Sequence, residues 1–101
     1  MGNARRIAAA AVEVISSPAA AADLAYIRAY IGRFNPAAAK RMAAKIGTAA
    51  LSLADFPERG RLRHDGAREL VIIYPYIIVY DVTPNRVTIL RVWHAAQNRD
   101  T

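Results

Sequence analysis

The chain has no cysteine. That excludes disulfides and thiolate metal sites, and it fits the reducing cytoplasm, where we expect the protein to work. Long apolar runs are also lacking. The longest, residues 70–80, is eleven residues with Pro75 inside it, well short of the roughly 20 a helix needs to cross a bilayer. Glycine is sparse and nowhere forms a phosphate-cradling loop. The only histidines, His64 and His94, are far apart with no carboxylate pair at ligand spacing, so neither a metal site nor a cofactor is expected. Ser16, Ser17 and Ser52 suit caps or helix positions better than a Ser-His-Asp triad. Acid is missing over one long stretch: none lies between Asp23 and Asp55.

What remains is a 101-residue chain, 54% hydrophobic, with formal net charge +6 and a pI near 10.3. It is long enough for one domain and one core. We place that domain at residues 12–101, behind an N-terminal extension of residues 1–11. The Arg5-Arg6 pair and alanine run of the extension faintly resemble an export signal, which Glu13 interrupts. The basic balance directs attention to acidic partners, either nucleic acid or an acidic protein segment.

The stretch from Arg68 to Ala96 organises the rest. Three runs rich in Val, Ile and Tyr, at residues 69–73, 76–83 and 86–94, are separated by Tyr74-Pro75 and Thr83-Pro84-Asn85. Branched and aromatic side chains suit a pleated surface, and proline belongs at the breaks. This predicts an antiparallel three-strand meander. VEVIS at 12–16 is a candidate further strand, beside either the last run or the central one. Ser17-Pro18 and Asn35-Pro36 each pair a capping side chain with a first-turn proline, which predicts helices over 18–34 and 36–55. Leu24, Ile27, Ile31 and Phe34 make the apolar stripe of the first; Met42, Ile46, Ala49 or Ala50, and Leu53 that of the second. Tyr26 and Tyr30 read as packing on the flank of the first helix. The fold class is therefore α+β, with an antiparallel helical hairpin packed on a mostly antiparallel sheet.

Two helices cover only one face of such a sheet. Strict alternation puts Ile77, Val79, Ile89 and Trp93 on the other face, an apolar patch that points to a protein partner unless a loop covers it. The hairpin carries Arg28, Arg33, Lys40, Arg41 and Lys45 with no compensating acid, either a solvated face or a dock for an acidic partner. Arg61, Arg63, Arg68, Arg91, His94 and Arg99 are the residues from which a ribonuclease could build a phosphorane-stabilising and proton-moving group.

The order of these pieces resembles the RelE/ParE superfamily of toxins from type II toxin–antitoxin (plasmid stabilisation) systems. The likeness runs from about Val12 to Arg99. It is carried by SPAAAADLAYIRAYI, NPAAA, LADFPERGR, REL, YIIVYDV and VTILRVWHAAQNR. The resemblance implies a cognate antitoxin that wraps the toxin as a heterodimer or heterotetramer. It also implies one of two activities: poisoning of DNA gyrase in the ParE branch, or ribosome-dependent mRNA cleavage in the RelE branch. RelE-type nucleases have an arginine where this chain has Ile77 and a proton-transfer residue where it has Ala95. They are often lysine-rich where this chain has only Lys40 and Lys45. The VWHAAQNR ending is similar to ParE-like chains instead. The resemblance thus favours a gyrase inhibitor working through the basic hairpin, the 61–68 loop and the tail after His94. The alternatives are an endoribonuclease using Arg61, Arg63, Arg91 and His94, and a fold that only binds its antitoxin.

Overall fold

The computed structural model describes residues 12–95, so the proposed 1–11 extension and Arg99 lie outside the described residues. The two cap signals act as read. The Ser17 side chain accepts the Ala20 N–H at 3.0 Å and opens α1, Pro18–Gly32. Asn35 accepts the Ala38 N–H at 3.0 Å and opens α2, Pro36–Ser52. Both helices stop short of the expected ends. The chain must leave α1 by Arg33 to reach the Asn35 cap, so Phe34 sits on the turn and is 72% exposed instead of completing the apolar stripe. Leu53, just past α2, is fully buried.

The strands are β1 (Glu13–Ser16), β2 (Arg61–Leu62), β3 (Arg68–Ile73), β4 (Tyr76–Thr83) and β5 (Arg86–His94). They form one sheet in the order β1-β5-β4-β3-β2. The meander is antiparallel, and β1 joins beside the last strand, parallel to it. The short β2 falls where the sequence reads as loop. It pairs with β3 through a turn in which Gly66 adopts φ +93°, a left-handed conformation that glycine takes without a Cβ clash.

One irregularity changes which side chains face the core. Val79 pairs with Arg91 but Tyr80 pairs with Ile89, so Leu90 is an extra residue in β5, a β-bulge. The bulge resets the alternation, and Val87, Ile89 and Val92 all enter the core beneath the helices, each at most 4% exposed. Ile89 was expected on the uncovered face; the bulge moves it to the covered one. Its core partners include Ala20 and Ile27 of α1, Ile46 of α2, and Leu70, Ile78 and Tyr80 of the sheet. Each fully buried branched side chain contributes roughly 1.5–3 kcal/mol.

Gly47, inside α2, has nothing within 4 Å of where a Cβ would stand. Gly47→Ala is therefore expected to stabilise the fold by about 0.5–1 kcal/mol through helix propensity alone. A urea midpoint that falls instead would mean the cleft at Gly47 is tighter than its geometry.

Candidate functional site

The end of the sheet where β4 begins and β5 finishes is apolar on both faces. Two consecutive register pairs make it so: Tyr76 with His94, and Ile77 with Trp93. Neighbouring positions on a strand point to opposite faces. Ile77 and Trp93 thus lie on the uncovered face, in one transverse row with Val71, which is 54% exposed. Ile77 and Trp93 are both partly exposed. Val79, placed by the sequence in the same open patch, is only 4% exposed. It sits in the ladder between Glu69 and Arg91, whose long side chains flank it. The uncovered apolar patch is therefore Val71, Ile77 and Trp93, without Val79 or Ile89.

The next row on that face is charged, and its charges are engaged. Arg61 and Arg63 both donate to Glu69, at 2.8 and 3.2 Å, and Arg63 also reaches Asp65 at 3.1 Å. Arg63 and the Ala67 N–H, both hydrogen-bonded to Asp65, hold its carboxyl below the usual carboxylate range. Arg91 stacks on Trp93, 5.2 Å from the ring centroid, and is held by Asp23 of α1 through two bonds of 2.7 and 2.8 Å. Arg68 points elsewhere and donates to the Gly60 carbonyl at 2.8 Å.

Asp23 does more than pair with Arg91. β1 ends at Ser16, which leaves the outer edge of β5 without a strand partner beyond Ile89. Ser17 takes the first exposed groups: its N–H donates to the Ile89 carbonyl and its hydroxyl to that of Leu90. Asp23 takes the next, accepting the Val92 N–H at 2.9 Å. Burial pushes the Asp23 carboxyl up, but the bonds from Arg91 and Val92 outweigh it, and the net position is below the ordinary value. The same pair holds Arg91 more firmly protonated.

His94 is on the other side of the sheet. With Tyr76 it closes a pocket of about 300 Å³ against Tyr26, Ile27 and Tyr30 of α1. The His94 ring stands edge-on to Tyr76, with centroids 5.4 Å apart. Burial, then the nearby Tyr30, raise the Tyr76 hydroxyl above its usual pKa. Tyr26 and Tyr30 are not packed on the helix flank as expected; they are 64% and 48% exposed. They form a ladder with Phe34, at 6.5 and 5.6 Å between centroids, and Arg33 lies over Tyr30 and Phe34. Their i, i+4, i+8 spacing is a second stripe, offset from Leu24, Ile27 and Ile31, and could have been read as one.

The candidate nuclease residues are thus divided. Arg61, Arg63 and Arg91 belong to the uncovered face and its edge, whereas His94 belongs to the helix side. The five bases of the hairpin are all exposed but do not share one face. Arg28 lines the cleft between the helices, Lys45 faces a groove towards Arg59 and Ile72, and Arg33 rides on the aromatic ladder. Among the described residues no group of His, Asp and Glu has a metal-binding arrangement, and no helix is long and apolar enough to cross a membrane.

A helical hairpin thus covers one face of a five-stranded, mostly antiparallel sheet and leaves an apolar row half-open on the other. Residues 14–99 match the family described as ParE toxin of the type II toxin–antitoxin system parDE. The chain is 52% identical over 85 residues to "Toxin RelE2" of Caulobacter vibrioides, covering 84% of this chain and 97% of that one. It is 48% identical over 73 residues to "Putative toxin Y4kP" of Sinorhizobium fredii, covering 70% and 75%. A structure titled "Chromosomal ParDE TA system from P. aeruginosa" superposes with TM-score 0.74 at 22% identity, over 84% of this chain and 97% of that one, a likeness of fold. The chain belongs to the ParE family of type II toxins within the RelE/ParE superfamily. Membership implies an antitoxin partner.

Proposed function

We propose that this toxin arrests growth by docking on DNA gyrase and trapping the cleaved DNA complex, with no catalytic residue of its own. A cognate antitoxin neutralises it by covering the docking surface. The docking residues lie on two sides of the domain: the Ile77–Trp93 row on the uncovered face of the sheet, and the outward bases Arg28, Arg33, Lys40, Arg41 and Lys45 on the helical hairpin; Val79 and Ile89 are buried and outside the docking surface. One observation carries the reading: the groups a nuclease would need are held apart. His94 faces α1, while Arg61, Arg63 and Arg91 are across the sheet and already engaged by Glu69, Asp65 and Asp23. A phosphorane-stabilising cation and a proton-transfer group must converge within hydrogen-bond reach of one scissile phosphate.

The test is induction of the chain alone in bacteria, with thymidine and amino-acid incorporation followed separately. DNA synthesis is expected to stop first, with filamentation. Protein synthesis stopping within minutes while DNA synthesis continues would favour the second reading, a ribosome-dependent mRNA endoribonuclease. That reading draws on the RelE2 name carried by the 52% identical relative. A triple Arg61, Arg63, His94 alanine variant that remains toxic would exclude it.

A further inference from the structure

We infer that the groove between α2 and β3 grips the phosphate backbone of duplex DNA through Lys45, Thr48 and Arg59. The inference rests on the gyrase reading and divides its docking residues. The Ile77–Trp93 row meets protein, and this flank of the hairpin meets the DNA that gyrase holds.

Three observations choose the occupant. The first is free charge. Arg61, Arg63, Arg86 and Arg91 are each held by a carboxylate, whereas neither Lys45 nor Arg59 has one among the described residues. Both line one groove of about 400 Å³, with Thr48 and Ser52 beside them. The second is rigidity. The Ser52 hydroxyl donates to the Ala49 carbonyl and accepts from the Arg59 guanidinium, each at 2.6 Å. Arg59 stands on a turn whose next residue, Gly60, donates to the Tyr80 hydroxyl at 2.7 Å. The guanidinium is thus aimed before any anion arrives, which lowers the entropy cost of binding. The third is spacing. Arg41, Lys45, Thr48 and Ser52 follow one another at i, i+4, i+7 and i+11, one face of α2. Arg41 and Lys45 are about 6 Å apart along the axis, and Arg59 extends the row past Ser52. Such a row of cations and hydroxyls matches a line of phosphates. A single small anion would use only one end of it.

The lining argues against other occupants. No aromatic ring is in it, so unstacked bases find no platform there, and a duplex is favoured over a single strand. An acidic peptide would need a pocket for an apolar anchor, and the apolar part of this groove is only Ala44, Ala49 and the half-buried Ile72. Beyond Arg59, the exposed Asp55 and Glu58 repel phosphate, so the track ends at that turn.

The test has two arms. In the first, the full chain is titrated with short fluorescent duplexes of two unrelated sequences, over about 50–200 mM salt. Lys45→Ala and Arg59→Ala are each expected to weaken binding about threefold at the low-salt end. Each should also reduce the slope of log affinity against log salt by about one, equally for both sequences. Lys45→Arg should keep the native slope. Arg86→Ala removes the same charge from β5, where Glu13 holds it, and should leave the slope unchanged. Melting temperatures close to that of the native chain would establish that the variants fold. In the second arm, gyrase and supercoiled plasmid are incubated with toxin, and cleaved DNA is measured. The Lys45→Ala, Arg59→Ala double variant should trap about tenfold less than the native chain, the product of two lost contacts. Trapping by the native chain with slopes and trapping unaltered in the variants would overturn the groove and leave the gyrase reading intact. No trapping by the native chain would overturn both. Lower slopes with native trapping would make the contact incidental to poisoning, and lost trapping with native slopes would make it a contact with protein. Either result, or a single strand bound more tightly than the duplex, would sink the inference.

Discussion

Gly60→Ala is expected to destabilise the protein by about 3 kcal/mol. A Cβ on Gly60 would stand 2.7 Å from the Tyr80 hydroxyl and 2.8 Å from the Glu69 carbonyl. The first neighbour is the end of a fully buried ring and the second is backbone of β3, so neither yields cheaply. Overpacking of a tight site costs typically 1–3 kcal/mol and sometimes more. Here it also disturbs a hydrogen bond. The Gly60 N–H donates to the Tyr80 hydroxyl at 2.7 Å, and that hydroxyl donates onward to the Pro57 carbonyl at 2.8 Å. Tyr80→Phe keeps the ring and removes the oxygen, leaving two backbone groups unpaired, at an expected cost of about 2 kcal/mol. The double variant should cost somewhat less than the sum, because removing the hydroxyl relieves one of three close approaches, while the Glu69 carbonyl and Tyr80 Cε1, both at 2.8 Å, remain. At this size each kcal/mol lowers the melting temperature by about 4–8 °C, so Gly60→Ala should melt on the order of 15 °C lower. A Gly60→Ala protein that melts within 3 °C of the native one would show that the turn is free to shift.

The Tyr80 latch explains why a Phe-Pro-x-x-Gly-Arg turn ends the second helix. It pins the 57–60 turn to the central strand, and Arg68 reinforces it through the Gly60 carbonyl. Arg61 follows directly, so its pairing with Glu69 on the uncovered face depends on a buried hydroxyl on the other face. A basic loop on a toxin surface is thereby held in place by the core as well as by its own salt bridges, of which Arg61–Glu69 is exposed at the arginine and individually weak and Arg63–Glu69 is largely buried.

Much of this arrangement is legible in the sequence. Pro75 and Pro84 bound the strands of the meander, and Ser17-Pro18 and Asn35-Pro36 start the helices where they are observed, because cap chemistry is local. The antiparallel hairpin follows from the one- or two-residue join that the cap signals leave before Pro36. What the chain hid was non-local. A bulge leaves no mark in alternation, so Ile89 read as an outward residue although Leu90 shifts it into the core. In the sequence β1 can pair beside the last strand or the central one, and packing of α1 over β5 decides that it lies beside β5. Tyr80 looked like any strand tyrosine until its hydroxyl met Gly60, twenty residues away. The site suffered most. Arg61, Arg91 and His94 are polar neighbours of a strand pattern, but the pleat places His94 opposite the arginines. Asp23 read only as the last acid before a basic span, and its task at the open edge of β5 depends on where β1 stops.

That task gives the second large effect. Asp23→Ala is expected to cost about 2–3 kcal/mol. It removes the acceptor of three hydrogen bonds, from Arg91 twice and from the Val92 N–H. Breaking a fully buried ion pair costs roughly 3–5 kcal/mol. The Arg91 side chain is 42% exposed, so solvent screens the orphaned charge and the cost is smaller. Val92 is 4% exposed, and its unpaired N–H restores part of the penalty. Asp23→Asn keeps an acceptor and loses the charge, and should cost about 1 kcal/mol at neutral pH. The pH dependence separates charge from shape. In the folded protein the Asp23 pKa is below its ordinary value of 3.8, so the unfolded chain binds the proton first as pH drops. The contribution of the charge is therefore complete above about pH 5 and disappears as pH falls below 3.8 through the folded pKa. Urea midpoints of the native and Asp23→Asn proteins should differ at pH 7, and the gap should narrow as pH falls below 3.8. A gap that keeps its size through that range would mean that Asp23 acts by shape alone. The contrast also bears on mechanism, because Asp23→Asn loosens Arg91 beside Trp93 on the uncovered face. A gyrase poison that docks by that face should change in potency with the target unaltered: thymidine incorporation should still fail first. A switch to early failure of protein synthesis would instead mark Arg91 as a nuclease group that Asp23 restrains.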